Sequence, residues 1–145
     1  MCWLSSLIKP KTEDYKPVSS KKASWQEVND FLQAKFPNAQ RWLSDSEYTL
    51  CHYDDVAYFL AVSQVNKIPY TAESMDCDDF ARALWGEFGK PPWSGLAIGL
   101  VWTEVHALCY VITEDWKLLW LEPQTDELNE KLASWQGLTP RLMIV

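Results

Sequence analysis

The chain lacks the features that mark several large classes of protein. It has no excess of basic charge: 20 acidic residues stand against 13 basic ones, a formal net charge of -7. A general nucleic-acid binder presents a basic field, so no nucleic-acid partner is expected. No run of about 20 apolar residues is present, so no membrane span is expected. The apolar opening Met-Cys-Trp-Leu-Ser-Ser-Leu-Ile is too short for a signal core followed by a cleavage site. The protein is therefore read as cytoplasmic when made, with Cys2, Cys51, Cys77 and Cys109 mostly reduced. There is no Cys-x-x-Cys pair, and the histidines are two, His52 and His106, which argues against a structural zinc site. No internal repeat is visible.

What is present is the material of one core. A length of 145 residues fits a single domain, and 48% of them are hydrophobic. Nine tryptophans are many for this length. Most are read as core anchors, the alternative being a partner or sugar surface. Residues 1–23 read as a flexible or partner-docking arm, basic at Lys9, Lys11, Lys16, Lys21 and Lys22 and apolar at Trp3, Leu4, Leu7 and Ile8. Residues 24–145 read as the domain.

Helices come first. Ser24-Trp25-Gln26-Glu27 is a capping box, followed by apolar residues at helical spacing through Phe36. Asp54 or Asp55 opens a second helix, ended by Asn66-Lys67-Ile68-Pro69. A third runs from about Asp76 to Phe88 and is closed by Gly89 and Pro91-Pro92. Strand-like runs follow at 96–102, 105–112 and 117–121, and Arg141 to Val145 reads as a last strand. Glu127 to Trp135 reads as a short helix or loop. The expected class is α+β, with N-terminal helices packed on a C-terminal antiparallel β-sheet.

One constellation points to chemistry. Asp76 and Asp79 can cap the third helix reciprocally, which puts Cys77 in its first turn. Free amide donors and the helix dipole there favour a thiolate and could hold an oxyanion. The flanking carboxylates of Asp76, Asp78 and Asp79 oppose a thiolate, so a cation or a protonated histidine is needed beside it. The bland alternative is a buried cysteine on a capped helix. His106 stands near the start of a strand, where it could act as a base; the alternative is a partly exposed strand histidine. His52 is read as a neighbour of a helix start. Glu122 ends the next strand before Pro123 and could accept the His106 Nδ1–H, against the alternative of an exposed strand-end glutamate.

Tyr70, the run Asp76-Cys77-Asp78-Asp79-Phe80-Ala81, the segment from Gly95 to Trp102, His106-Ala107 and Glu122-Pro123-Gln124-Thr125-Asp126 resemble a family: the C-terminal domain of the Marasmius oreades agglutinin and its bacterial and phage-encoded relatives. The resemblance spans residues 45–128. It implies a papain-like fold and a calcium-dependent cysteine peptidase with Cys77, His106 and Glu122 as triad. It implies an auxiliary polar role for Gln124, an aromatic beside the cleft at Tyr70, and Ca2+ or Mn2+ held by Asp76, Asp78 or Asp79. The agglutinin's carbohydrate-binding domain has no counterpart, so the resemblance does not imply sugar binding.

Two functions are carried forward. One is a cysteine-peptidase-like hydrolase, or a related thiol acyl-transfer enzyme, acting on a peptide or protein substrate. The alternative is a non-catalytic structural or interaction protein, such as a phage virion component docking through residues 1–23 and virion-associated.

Overall fold

A computed structural model describes residues 15–132 and 139–145. The apolar start of the arm (Trp3, Leu4, Leu7, Ile8) and Trp135 lie outside the described residues. Residues 15–23 do not stand free. Tyr15 stacks on Tyr58 at 3.9 Å between ring centroids and on Trp93 at 5.0 Å. The backbone N–H groups of Val18 and Ser19 and the hydroxyls of Tyr15 and Ser19 all donate to the Asp55 carboxylate. Asp55 is fully buried. A buried carboxylate is tolerable only when so saturated.

A short strand β1 (Lys22–Ser24) pairs antiparallel with β3 (Glu47–Thr49) in a separate two-stranded sheet. Between them lie α1 (Trp25–Lys35) and β2 (Gln40–Trp42). The capping box at Ser24 and Glu27 forms as the sequence predicts. Val28 and Leu32 are the residues α1 buries, whereas Trp25 stays 41% exposed because it sits on the outer side of the first turn. Helix α2 (Tyr53–Val62) starts one residue before its nearest expected start, because His52 itself is the N-cap: its Nδ1 accepts from Asp54 N–H at 3.2 Å. A 3-10 turn (Val65–Lys67) follows. Helix α3 (Cys77–Phe88) buries Phe80, Ala81, Leu84 and Phe88.

The main sheet has six strands in the order β2-β8-β4-β5-β6-β7. The remaining members are β4 (Ile98–Thr103), β5 (Ala107–Ile112), β6 (Leu118–Glu122), β7 (Glu127–Asn129) and β8 (Pro140–Ile144). Segment 127–129 is thus a strand where a short helix or loop was expected; it pairs antiparallel with β6, and Leu128 opposes Leu121.

Every residue of β5 is buried, because both faces of the sheet are covered. Leu108, Tyr110 and Ile112 share a core with Val28 and Leu32 of α1. Ala107, Cys109 and Val111 share the other core with Val56, Phe59, Phe80 and Leu84 of α2 and α3. The alternation of the strand divides the two cores. This corrects the expected layout in two ways. Helices lie on both faces, and the sheet is not purely C-terminal or antiparallel, since β2 pairs parallel with β8. An α+β description fits loosely.

Close approach sets one glycine. A Cβ at Gly99 would meet Tyr110 Cζ at 2.2 Å and the Ile144 carbonyl oxygen at 2.4 Å. The Tyr110 ring crosses β4 at this point, and its hydroxyl donates to that same carbonyl at 3.2 Å.

Candidate functional site

Cys77 opens α3, as the sequence suggests. Asp76 and Asp79 form the reciprocal capping box, with Asp76 N–H donating to Asp79 Oδ2 at 3.2 Å. The thiol is half-buried, whereas Cys51 and Cys109 are fully buried. All three are free. Burial pushes the Cys51 and Cys109 thiols far above their ordinary range, helped by the charges of Asp55 and Glu122 respectively. Cys77 is therefore the thiol available for chemistry among these three.

His106 does not lie in β5. It sits one residue before the strand, in a turn closed by Thr103. The Thr103 hydroxyl accepts from His106 N–H at 3.0 Å, and Thr103 N–H donates to the His106 carbonyl at 2.8 Å. From there its ring reaches Glu122 at the end of β6, Nε2 to Oε2 at 2.7 Å. The bond uses Nε2, where the sequence reading expected Nδ1. The difference is a matter of ring orientation, which the turn dictates and strand alternation does not. Glu122 is 7% exposed and takes a second bond at Oε1 from the Gln124 backbone N–H at 3.1 Å. Gln124 thus touches the site through its main chain. Tyr70 is 60% exposed, on the loop before α3.

The cation expected from the sequence has a partial fit. Ligand atoms of Asp76, Cys77 and Asp78 lie within 4.8 Å of one another, and Asp76 Oδ1 is buried without a protein hydrogen-bond partner. A hydrogen bond shared with Asp78, followed by burial and the charges of Asp78 and Asp79, holds the Asp76 carboxyl above its ordinary range. Two carboxylates suit Ca2+ or Mn2+; a thiol does not suit Ca2+. Asp79 is committed elsewhere, to Arg82 and to the Asp76 amide.

Arg82 went unnoticed in the sequence. It pairs with Asp78 at 2.9 Å and with Asp79 across one helical turn, supplying the positive charge that the carboxylates beside Cys77 call for. Its i+4 and i+3 spacing from the two aspartates is a readable signal. Asn66 was missed too. Its Nδ2 donates to Asp126 Oδ2 at 2.6 Å, bracing the turn between Glu122 and β7, in which Asp126 N–H bonds the Glu122 carbonyl at 2.9 Å. No sequence signal pairs residues so far apart.

No family model and no curated protein matches this chain. Solved structures do. One is "PSL1a-E64 complex", at a TM-score of 0.76 and 19% identity, covering 88% of this chain and 51% of that one. Another is the Polyporus squamosus lectin bound to Neu5Aca2-6Galb1-4GlcNAc, at a TM-score of 0.69 and 20% identity, covering 88% of this chain and 50% of that one. At these identities the likeness carries the fold. The chain spans about half the length of the structures it matches. The finding replaces the expected papain-like fold and the resemblance to the Marasmius oreades agglutinin C-terminal domain with a likeness to the Polyporus squamosus lectin. It likewise overturns the cysteine-peptidase reading, with its hydrolase and thiol-protease labels and its peptide substrate. No described helix is long and apolar enough to cross a membrane.

Proposed function

We propose that this domain is a non-catalytic binding module whose partner is a carbohydrate, the interaction class that the sequence left as its alternative. What carries the reading is the fold likeness to the Polyporus squamosus lectin along 88% of the chain. The surface supports it. Trp42, Tyr53 and Tyr70 are 71%, 55% and 60% exposed, and such rings offer a flat apolar face with a polar edge. On this reading the domain holds a glycan and breaks no bond in it. The test is titration of the full chain with a saccharide panel, followed by tryptophan fluorescence and calorimetry. Saturable binding of at least one saccharide class, with the glycan recovered intact, is expected. Absence of saturable binding across the panel removes the reading.

One observation favours a second role for a different part of the molecule. The 2.7 Å bond between His106 and the buried Glu122 orients an imidazole, and Cys77 stands on a helix N-terminus. On this reading Cys77 is a nucleophilic thiol, His106 its proton acceptor, and Glu122 the group that fixes the imidazole. Asp76 and Asp78 would hold Ca2+ or Mn2+, which would screen the carboxylate charge beside the thiol. The reading assigns reactivity to one sulfur and no peptide bond as its target. Iodoacetamide labelling across pH separates it from a passive cysteine: His106→Ala should slow labelling of Cys77 at neutral pH and leave the rate at high pH unchanged. Equal rates at every pH would sink it.

A further inference from the structure

Two hollows adjoin along α2; the larger lies at the hairpin end of the β5–β6 ladder, away from the His106–Glu122 pair, and the smaller reaches Asp126 in the turn that follows Glu122. The larger, about 480 Å3, lies between the start of α2 and the hairpin tip joining β5 to β6. The second, about 360 Å3, runs along α2 past Ala57 and Ala61 to Asp126. Tyr53 and Leu128 line both, so the two form one cleft passing beside the Tyr53 ring. Each volume falls in the range of small-ligand sites. We infer that this cleft takes a neutral oligosaccharide, with Tyr53 as the stacking platform. The inference rests on the carbohydrate-binding reading and names its site and ligand charge.

The chemistry of the lining selects the class. Leu119 and Leu128 make an apolar floor, and Tyr53 stands in the first turn of α2. A sugar ring presents an apolar C–H face and a rim of hydroxyls, which is what an exposed tyrosine beside planar polar groups can hold. The polar groups are acceptors above all. Asp115 and Glu130 are fixed across the mouth by a shared Lys117, at 3.3 and 3.7 Å. Glu114 is anchored by the backbone N–H groups of Ser20 and Lys21, at 3.0 and 3.3 Å. Carboxylates accept strong hydrogen bonds from hydroxyl donors. Charge then excludes one branch of the class. Glu114, Asp115, Glu130 and Asp126 outnumber Lys117, so a sialic-acid carboxylate would enter against repulsion. The cleft therefore suits uncharged glycans and disfavours the sialylated kind printed with the Polyporus squamosus lectin.

The test compares neutral oligosaccharides with their sialylated counterparts on the full chain, by calorimetry and by chemical-shift mapping. Neutral ligands should bind and shift the resonances around Tyr53, Lys117 and Leu128. Tyr53→Ala should weaken them about tenfold or more, roughly 1.4 kcal/mol. Tyr53→Phe should keep most of the affinity, and Trp25→Ala, in the first turn of α1 and outside both hollows, should bind as the wild type does. Because Tyr53 is more than half exposed, thermal melts of both Tyr53 variants should match the parent. Glycan binding that Tyr53→Ala leaves untouched overturns the cleft while leaving the carbohydrate reading in place. Sialylated ligands bound as tightly as neutral ones overturn the charge selection. No saccharide binding at millimolar concentration overturns both.

Discussion

At the scale of single residues, burial sorts the thiols. Cys51 and Cys109 are sealed in the core on the α2 and α3 side of the sheet, and Cys109 donates from its sulfur to the Ala81 carbonyl at 3.4 Å. Cys77 is half-buried in the first turn of α3. In a Cys2→Ser background, iodoacetamide should label Cys77 in the folded protein and reach the other two only in denaturant. Peptide mass spectrometry reads the result, and equal labelling of Cys51 in the native state would mean that this core opens. Glu122 makes a second residue-scale case. Its two oxygens serve the His106 ring and the Gln124 amide, so Glu122→Ala strands two donors in a poorly hydrated place. A loss of roughly 1–3 kcal/mol is expected in chemical denaturation, and Glu122→Gln should recover much of it. The places of Cys77, His106 and Glu122 along the chain's elements were legible because each carries a local marker: a capping box, a strand start, a strand end before proline. The ring nitrogen was not legible, because the Thr103 turn that aims the imidazole is closed by a side chain's hydrogen bonds rather than by a pattern.

At the scale of elements, the arm is held by one side chain. Asp55 lies on the inner face of α2 and collects donors from residues 15–19. Ser19 also accepts from His52 N–H at 2.7 Å, so the latch extends to the helix cap. Asp55→Ala should cost about 3 kcal/mol, since it leaves several donors unpaired where a carboxylate had been. It should also make the chain at Lys21 and Lys22 cleavable by trypsin before global unfolding; resistance equal to the parent would show that the Tyr15 stack alone holds the arm. Gly99→Ala tests the other element-scale contact. Its methyl would enter the Tyr110 ring, and β4 is an interior strand that cannot move aside. A loss of roughly 1–3 kcal/mol is expected in the thermal melt. Helices and strands were largely legible, because their periods and caps are local. Three things were not. Strand β2 is three residues long and gains its place only by pairing with β8, a hundred positions on. The placement of α1 on one face and α2 and α3 on the other is decided by which side of β5 each covers. The latch joins Asp55 to an arm whose composition reads as flexible or partner-docking.

At the scale of the whole molecule, two carboxylates tie stability to pH with opposite signs. Burial raises Asp55, but the hydrogen bonds from Ser19, Val18 and Tyr15 outweigh it and leave the group below its ordinary value. Its contribution is complete above the unfolded-state value and is lost as pH falls through the lower folded-state value. Asp126 behaves in reverse. Burial holds it above the ordinary range, with only partial relief from the charge of Lys67, and its Oδ1 has no protein partner. The fold therefore favours its neutral form, and stability is given up as pH rises from the unfolded-state value through the folded one. Replacing each with the neutral isostere separates the two. Asp55→Asn should lose stability at neutral pH, and its deficit against the parent should shrink on acidification. Asp126→Asn should be as stable as the parent or more so at neutral pH, because it keeps an acceptor for Asn66 without a buried charge. That advantage should disappear below the ordinary carboxylate range, where the parent's Asp126 is already protonated. Urea denaturation of the three proteins at several pH values reads both slopes. An Asp126→Asn variant less stable than the parent at neutral pH would mean that the ionised carboxylate is held by a group other than Asn66 and Lys67.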